Sequence, residues 1–128
     1  MDGKTRYDRI NELLGGNLRN MFVEGGHTKL VSKPYMDLSI EVIGPNVISL
    51  THYYELNGDL VPDPDMEVII HLEEETAEAL SYQDTYVYRR VDDDGKVDER
   101  AKRELNYFLG VWLNNLKEQG FTYENRVL

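Results

Sequence analysis

The chain has 128 residues with 24 Asp and Glu against 14 Lys and Arg, so its formal net charge is −10, and it contains no cysteine. This length suits one domain with its own hydrophobic core. The lack of cysteine excludes a disulfide scaffold, a thiolate zinc site, an iron–sulfur cluster and a cysteine nucleophile. The acidic balance argues against direct binding to nucleic acid, which requires a basic face.

The acidity is concentrated in the middle of the chain. Residues 1–36 carry a net charge of +2, residues 37–99 carry −14, and residues 100–128 carry +2. No apolar run approaches the roughly 20 residues of a membrane span, and the first residues lack the apolar stretch of a secretory signal. We therefore expect a bacterial, cytoplasmic protein with no membrane partner.

The N-terminal region is predicted to be helical over residues 6–22. An apolar stripe predicts a helix from Arg6 to Leu14, which ends at Gly15-Gly16. Asn17 is a candidate cap for a further turn that ends at Phe22. Residues 23–34 remain ambiguous, although 29–32 could be extended.

The middle of the chain, about residues 36–91, alternates with a period of two, which is typical of half-buried strands. The pattern predicts three such strands and a fourth strand over residues 81–91, whose facing stays open. The inward set is Leu38, Ile40, Val42, Ile48, Leu50, His52, Tyr54, Leu56, Met66, Val68, Ile70 and Leu72.

The second and third of these strands raise a question of register. Asn57-Gly58 is typical of a two-residue type I′ turn, but that loop would pair inward residues with outward ones. A three-residue loop with a bulge pairs Leu50 with Met66, and a longer irregular loop would also serve. Pro62 and Pro64 cannot donate to a ladder, so the chain near them should be edge-like or bulged.

The C-terminal element has the clearest pattern. Apolar residues from Ala101 to Leu116 recur at helical spacing, Asp98 is a plausible N-cap, and Gly120 stops the helix. We predict a helix over about 99–118. The fold is then α+β: a single domain over 1–128, with a four-stranded antiparallel meander, a short N-terminal helix, and the long C-terminal helix packed on one sheet face.

Two histidines allow a metal hypothesis. On a strand, His52 and Glu55 point to opposite faces, so His52 is interpreted as a core histidine with one hydrogen-bond partner. His71 and Glu73 share the outer face, but two ligands without a third do not make a site. The loop acids match no EF-hand spacing and are interpreted as solvated. No phosphate loop or nucleophile motif occurs, so we expect no cofactor, and the sequence favours a non-enzyme.

One part of the sequence resembles a known family. The specific string is His52-Tyr53, then Asn57-Gly58-Asp59, then Asp63-Pro64, and the similarity extends over most of residues 35–121. It resembles a bacterial domain of unknown function carried by small acidic proteins on plasmids and integrative conjugative elements. The resemblance implies a setting on a mobile element and no assigned activity.

These observations support three functional hypotheses. The first is a non-enzymatic accessory protein of a mobile element that contacts a protein partner. The second is an acidic DNA mimic that inhibits a host defence enzyme. A mimic needs carboxylates in rows at phosphate-like spacing, and the outward Glu41, Glu55, Glu67 and Glu73 could begin a short row of this kind. The third is a metal-assisted enzyme that uses His52 or His71. The candidate interaction surface is Glu41, Tyr53, Glu55, Asp59, Asp63, Asp65, Glu67, Ile69, His71 and Glu73.

Overall fold

The computed structural model describes residues 1–127, which form three α-helices and eight β-strands. Leu128, the last residue of the expected domain, lies outside the described residues. The helices are α1 (Gly3–Leu13), α2 (Leu18–Glu24) and α3 (Glu99–Glu118). The strands are β1 (His27–Leu30), β2 (Leu38–Gly44), β3 (Val47–Leu56), β4 (Asp59–His71), β5 (Thr76–Gln83), β6 (Tyr88–Arg90), β7 (Asp92–Asp93) and β8 (Lys96–Val97).

Strands β1 to β6 form one antiparallel sheet in sequence order, and β7 and β8 form a separate small hairpin. The α+β class and the antiparallel sheet are confirmed, but the prediction of four strands was wrong. The ambiguous segment contributes β1, so the sheet begins at residue 27 instead of 36. The predicted fourth strand is two strands, because the Asp84 carboxylate accepts hydrogen bonds from the backbone N–H groups of Tyr86 and Val87 and reverses the chain there.

The N-terminal helical region is two helices. Asp2 caps α1 by accepting a bond from the backbone N–H of Thr5 at 2.8 Å, so this helix starts earlier than predicted. The chain turns at Gly15 and Gly16, whose φ angles of 62° and 85° lie in the left-handed region. Asn17 precedes α2 without a side-chain cap bond, so its predicted capping role was wrong.

The long C-terminal helix agrees with the prediction. The Asp98 carboxylate accepts a bond from the backbone N–H of Ala101 at 3.0 Å, and the helix ends at Glu118, two residues before Gly120. Its apolar stripe packs with α1 and β5 over one face of the sheet, here called the inner face. The inner face buries alternate residues of β2 to β5, namely Leu38, Ile40, Ile48, Leu50, Met66, Val68, Ile70, Ala77 and Ala79.

The register between β3 and β4 combines two spacings. Leu56 pairs with Asp59 across a two-residue turn, in which Asn57 and Gly58 have φ angles of 53° and 86°. Leu50 nevertheless pairs with Met66, one residue out of step with that turn. A bulge absorbs the extra residue, because Thr51 pairs with Asp65 while Tyr53 pairs with Pro62.

The Leu50–Met66 pairing and the irregular backbone near the prolines are therefore confirmed. The three-residue loop was wrong. The bulge at Asp63-Pro64 allows the two-residue turn and the Leu50–Met66 pairing to occur in the same hairpin. Without a bulge, alternation makes these two features exclude each other.

Candidate interaction surface

The second face of the sheet, here called the outer face, faces away from the helices. Its side chains alternate with those of the buried set along β2 to β5, and several are exposed to solvent. The outer face is defined by Ser39, Glu41, Val47, Ser49, Thr51, Asp65, Glu67, Ile69, His71, Glu78, Ser81 and Arg90.

A polar row crosses the centre of this face. Register places Glu41, Ser49, Glu67, Ser81 and Arg90 opposite one another on consecutive strands β2 to β6. The Ser81 hydroxyl donates to Oε2 of Glu67 at 3.1 Å, and Nη1 of Arg90 donates to the same oxygen at 3.5 Å. The carboxylate of Glu67 is thus oriented by a buried hydroxyl and faces a cation.

The adjacent row contains a partly buried acid, Asp65. The hydroxyl of Thr51, a residue only 1% exposed, donates to Oδ1 of Asp65 at 2.9 Å. Burial raises the pKa of Asp65 from its ordinary value, the Thr51 bond opposes that shift, and the charge of Glu67 adds to it. The charged form of Asp65 is therefore less favoured than in water, and a cation brought by a partner would stabilise it.

One end of the outer face is apolar. Ile69 is half-buried and lies opposite Val47 on β3 and Glu78 on β5. Ile43, which is 46% exposed, lies in the β2 irregularity next to this pair. Apolar side chains beside a polar row are the composition that protein interfaces use.

At the other end, β3 and β4 continue as a two-stranded arm, defined as residues 53–62. The pairing of β2 with β3 stops at His52, and the pairing of β5 with β4 stops at Asp65, so neither neighbour continues along the arm. Leu56 is 50% exposed and Leu60 is 71% exposed. Such side chains on a projecting hairpin are available for contact with a partner.

The bulge determines which residues share a face of the arm. Glu55 pairs with Leu60 and Tyr53 pairs with Pro62, so these four side chains lie on one face, while Asp59 lies on the other with Leu56. Leu60 was not among the predicted surface residues. A bulge at the prolines predicts its position, because the extra residue reverses the alternation of β4 and places Leu60 on the same face as Glu55.

The structure brings together only part of the predicted surface. Glu41, Asp65, Glu67, Ile69 and His71 lie on the outer face. Tyr53 and Glu55 lie on one side of the arm and Asp59 on the other; Asp63 lies in the bulge, and Glu73 lies in the turn after β4. The buried hydroxyls of Thr51 and Ser81 were not predicted, since a period of two gives a residue's facing but not its burial.

His52 occupies the core position that its strand facing predicted. It is 7% exposed, its Nδ1 lies 3.1 Å from the carbonyl oxygen of Asp37, and its ring lies between those of Trp112 and Phe121 at centroid distances of 5.6 and 5.7 Å. Its role in the structure is packing, which leaves no open position for a substrate.

His71 lies at the end of β4 beside a cleft of about 430 Å³. Its Nε2 is 3.8 Å from Oε2 of Glu78. Within residues 1–127, no group of three His, Asp or Glu side chains is placed to hold a metal ion. The arrangement offers one contact between an imidazole and a carboxylate and lacks the third ligand that a metal-assisted reaction would need.

The four acids required for DNA mimicry do not form a row. Glu41 and Glu67 are separated by Ser49, while Glu55 is on the arm and Glu73 is in a turn. Arg90 also lies against Glu67. A phosphate-like array needs regularly spaced and uncompensated charges, so this geometry does not support mimicry.

A longer charge pattern explains the acidity of this region. No Lys or Arg occurs between Lys33 and Arg89, whereas twelve Asp and Glu do. This stretch provides β2 to β5 and the arm, so the cations near the outer face come from strands outside it, such as Arg90. The outer face and the arm are therefore the acidic part of the molecule, while the helices carry most of the basic residues.

A family model described as domain of unknown function, DUF6908, matches residues 5–122. The chain belongs to the DUF6908 family. No curated protein matches the chain, and no solved structure matches it. Among residues 1–127, no helix is both long and apolar enough to cross a membrane. The description of DUF6908 names no activity, so the indications of function come from the geometry of the outer face and the arm.

Proposed function

We propose that this DUF6908 protein is a non-enzymatic accessory protein that binds a partner protein through the outer face of its sheet. The resemblance to proteins of plasmids and integrative conjugative elements supports a setting on a bacterial mobile element, in the cytoplasm. The acidic charge of the surface favours a protein partner over nucleic acid.

The observation that carries this proposal is the difference in cover between the two sheet faces. The helices pack on the inner face, whereas the outer face carries half-buried Ile69 and Val47 beside Glu41, Asp65 and Glu67. A free sheet face that mixes apolar and charged side chains is typical of a protein interface.

The chemistry of the outer face indicates the chemistry of the partner. Asp65 and Glu67 are two residues apart on β4 and point to the same side, so one Lys or Arg of a partner can contact both carboxylates. Arg90 already reaches Glu67 within the chain, which shows that a guanidinium fits there. An apolar side chain next to that cation would pack on Ile69 and Val47.

The test is affinity capture from a bacterial lysate with the immobilised chain, followed by measurement of binding by the purified partner. We expect Ile69→Arg and Asp65→Lys each to reduce that affinity about tenfold or more. Asp65→Lys places a positive charge where the partner is expected to bring its cation, and Ile69→Arg places one where an apolar side chain is expected to pack. Val23→Arg is the matched control, since Val23 is 85% exposed on α2.

Circular dichroism of each variant would show that the fold is retained. Capture that recovers no specific partner contradicts the proposal. Binding that Ile69→Arg and Asp65→Lys leave unchanged contradicts it as well, because the contact would then lie elsewhere on the molecule.

A further inference from the structure

We propose that two copies of this chain form a two-fold symmetric dimer, in which the arm of each copy seats in a groove of the other. The groove lies between β6 and α3 and has a volume of about 290 Å³. It is lined by Tyr82, Val87, Arg89, Glu104, Leu105 and Phe108. This self-association involves surfaces distinct from the outer face.

The groove has an apolar floor. The Tyr82 and Phe108 rings meet edge to face at a centroid distance of 5.2 Å, and Leu105 of α3 lines the groove with them. Val87 is 44% exposed at the edge of the groove. A leucine side chain is the complement of such a floor, and the arm presents Leu60, which is 71% exposed, on one face and Leu56, which is 50% exposed, on the opposite face.

The charges of the two surfaces are opposite. Glu55 and Asp59 belong to the arm, Asp63 follows it directly in the bulge, and residues 53–63 contain no Lys or Arg. At the rim of the groove, Glu104 accepts bonds from Arg89 at 2.6 Å and from Arg100 at 2.8 Å, which lowers its pKa to about 2.

The rim acid is thus compensated, and Arg100, whose side chain is 80% exposed, extends from the rim into solvent. Arg89 and Arg100 together give the rim one more cation than acid. An acidic arm and a rim with excess cations attract each other at the contact, although each copy carries a net charge of −10.

The arm and the groove are also neighbours on the surface of one copy. The Tyr54 hydroxyl lies 2.8 Å from the Thr85 hydroxyl, which holds the base of the arm against the turn that leads to Val87. In a two-fold dimer one continuous patch must complement itself. Here the patch consists of the arm, with its leucines and acids, next to the groove, with its apolar floor and rim cations. When the second copy is rotated by a half turn, each arm faces the groove of the other copy.

The experiment is analytical ultracentrifugation of the full chain over a range of concentrations. We expect a species with twice the 14.9 kDa mass of the chain, and we expect its fraction to fall at high salt. Asp59→Lys and Arg100→Glu should each weaken the dimer about tenfold or more, while the two changes in one chain should restore most of the affinity.

Matched controls are Glu24→Lys on α2 and Lys4→Glu on α1, which reverse exposed charges away from the patch. Leu60→Ser provides a variant that tests the apolar contact without changing charge. A monomer at every concentration overturns the proposal, and so does a dimer whose affinity is unchanged by Asp59→Lys, Arg100→Glu and Leu60→Ser. Ile69→Arg should leave the dimer intact, so failure of the dimer and failure of the outer face as a partner site are distinguishable.

Discussion

The two faces of the sheet are built from the same strands but follow different rules. On β3, Leu50 is fully buried against the helices, while its neighbour Ser49 faces the other way in a polar row. The inner face uses large aliphatic side chains, whose burial drives folding. The outer face uses hydroxyls and carboxylates that contribute little to the core. The inner face can therefore stabilise the fold, while the side chains of the outer face remain available for contact with a partner.

The largest expected effect comes from shifting one residue between the faces. Deleting Val68 moves either Met66 or Ile70 out of phase with the core, so we expect loss of the cooperative fold. Deleting Pro64 removes the bulged residue and leaves both the tight turn and the Leu50–Met66 pairing in place. We expect that deletion to cost about 1 kcal/mol or less.

Thermal melts followed by circular dichroism separate these two deletions. A cooperative transition for the Pro64 deletion, together with none for the Val68 deletion, would support the register described above. Equal damage from both deletions would show that the bulge is needed for stability in its own right.

A substitution on each face of β3 measures the contrast directly. Leu50→Ala leaves a cavity under the helices and should lower the free energy of unfolding by about 2–5 kcal/mol. Ser49→Ala, its neighbour on the outer face, should change it by about 0.5 kcal/mol or less. Urea denaturation of both variants gives the two values, and similar losses would mean that the outer face also carries stability.

The smallest expected effect depends on pH and belongs to Asp65. Burial raises its pKa in the folded chain, so the folded state binds more protons than the unfolded state between the unfolded pKa and the raised one. Ionised Asp65 therefore lowers stability above that window, and the penalty disappears as the pH falls through it.

Asp65→Asn should remove the penalty while keeping an oxygen for the Thr51 hydroxyl to bond. We expect it to stabilise the fold at neutral pH by a few tenths to about 1 kcal/mol, and to lose that advantage below the unfolded pKa. Urea denaturation over a pH series is the measurement, with Asp8→Asn on α1 as control. A destabilised variant at neutral pH would indicate that the Thr51 bond depends on the negative charge.

Several features were predictable because they depend on residues close together in sequence. The alternation of β2, β3 and β4 identified most of the buried set, but Leu56, which was also predicted to point inward, is 50% exposed on the arm. The spacing from Ala101 to Leu116 identified α3 together with its Asp98 cap. The core position of His52 followed from the same alternation. Each of these follows from the geometry of a single strand or helix, which repeats along the chain.

Other features depend on contacts between distant residues. The strand β1 exists because it pairs with β2, and the division into β5 and β6 depends on a turn that Asp84 closes. The meeting of Arg90 with Glu67, and the burial of Thr51 and Ser81, require neighbouring strands to be placed first. Alternation along one strand indicated the facing of residues in the regular parts of β2, β3 and β4, since pleating is local. The number of paired strands, the position of the bulge and with it the facing of Leu60 follow only from the tertiary structure, because ladder hydrogen bonds join residues far apart in the chain.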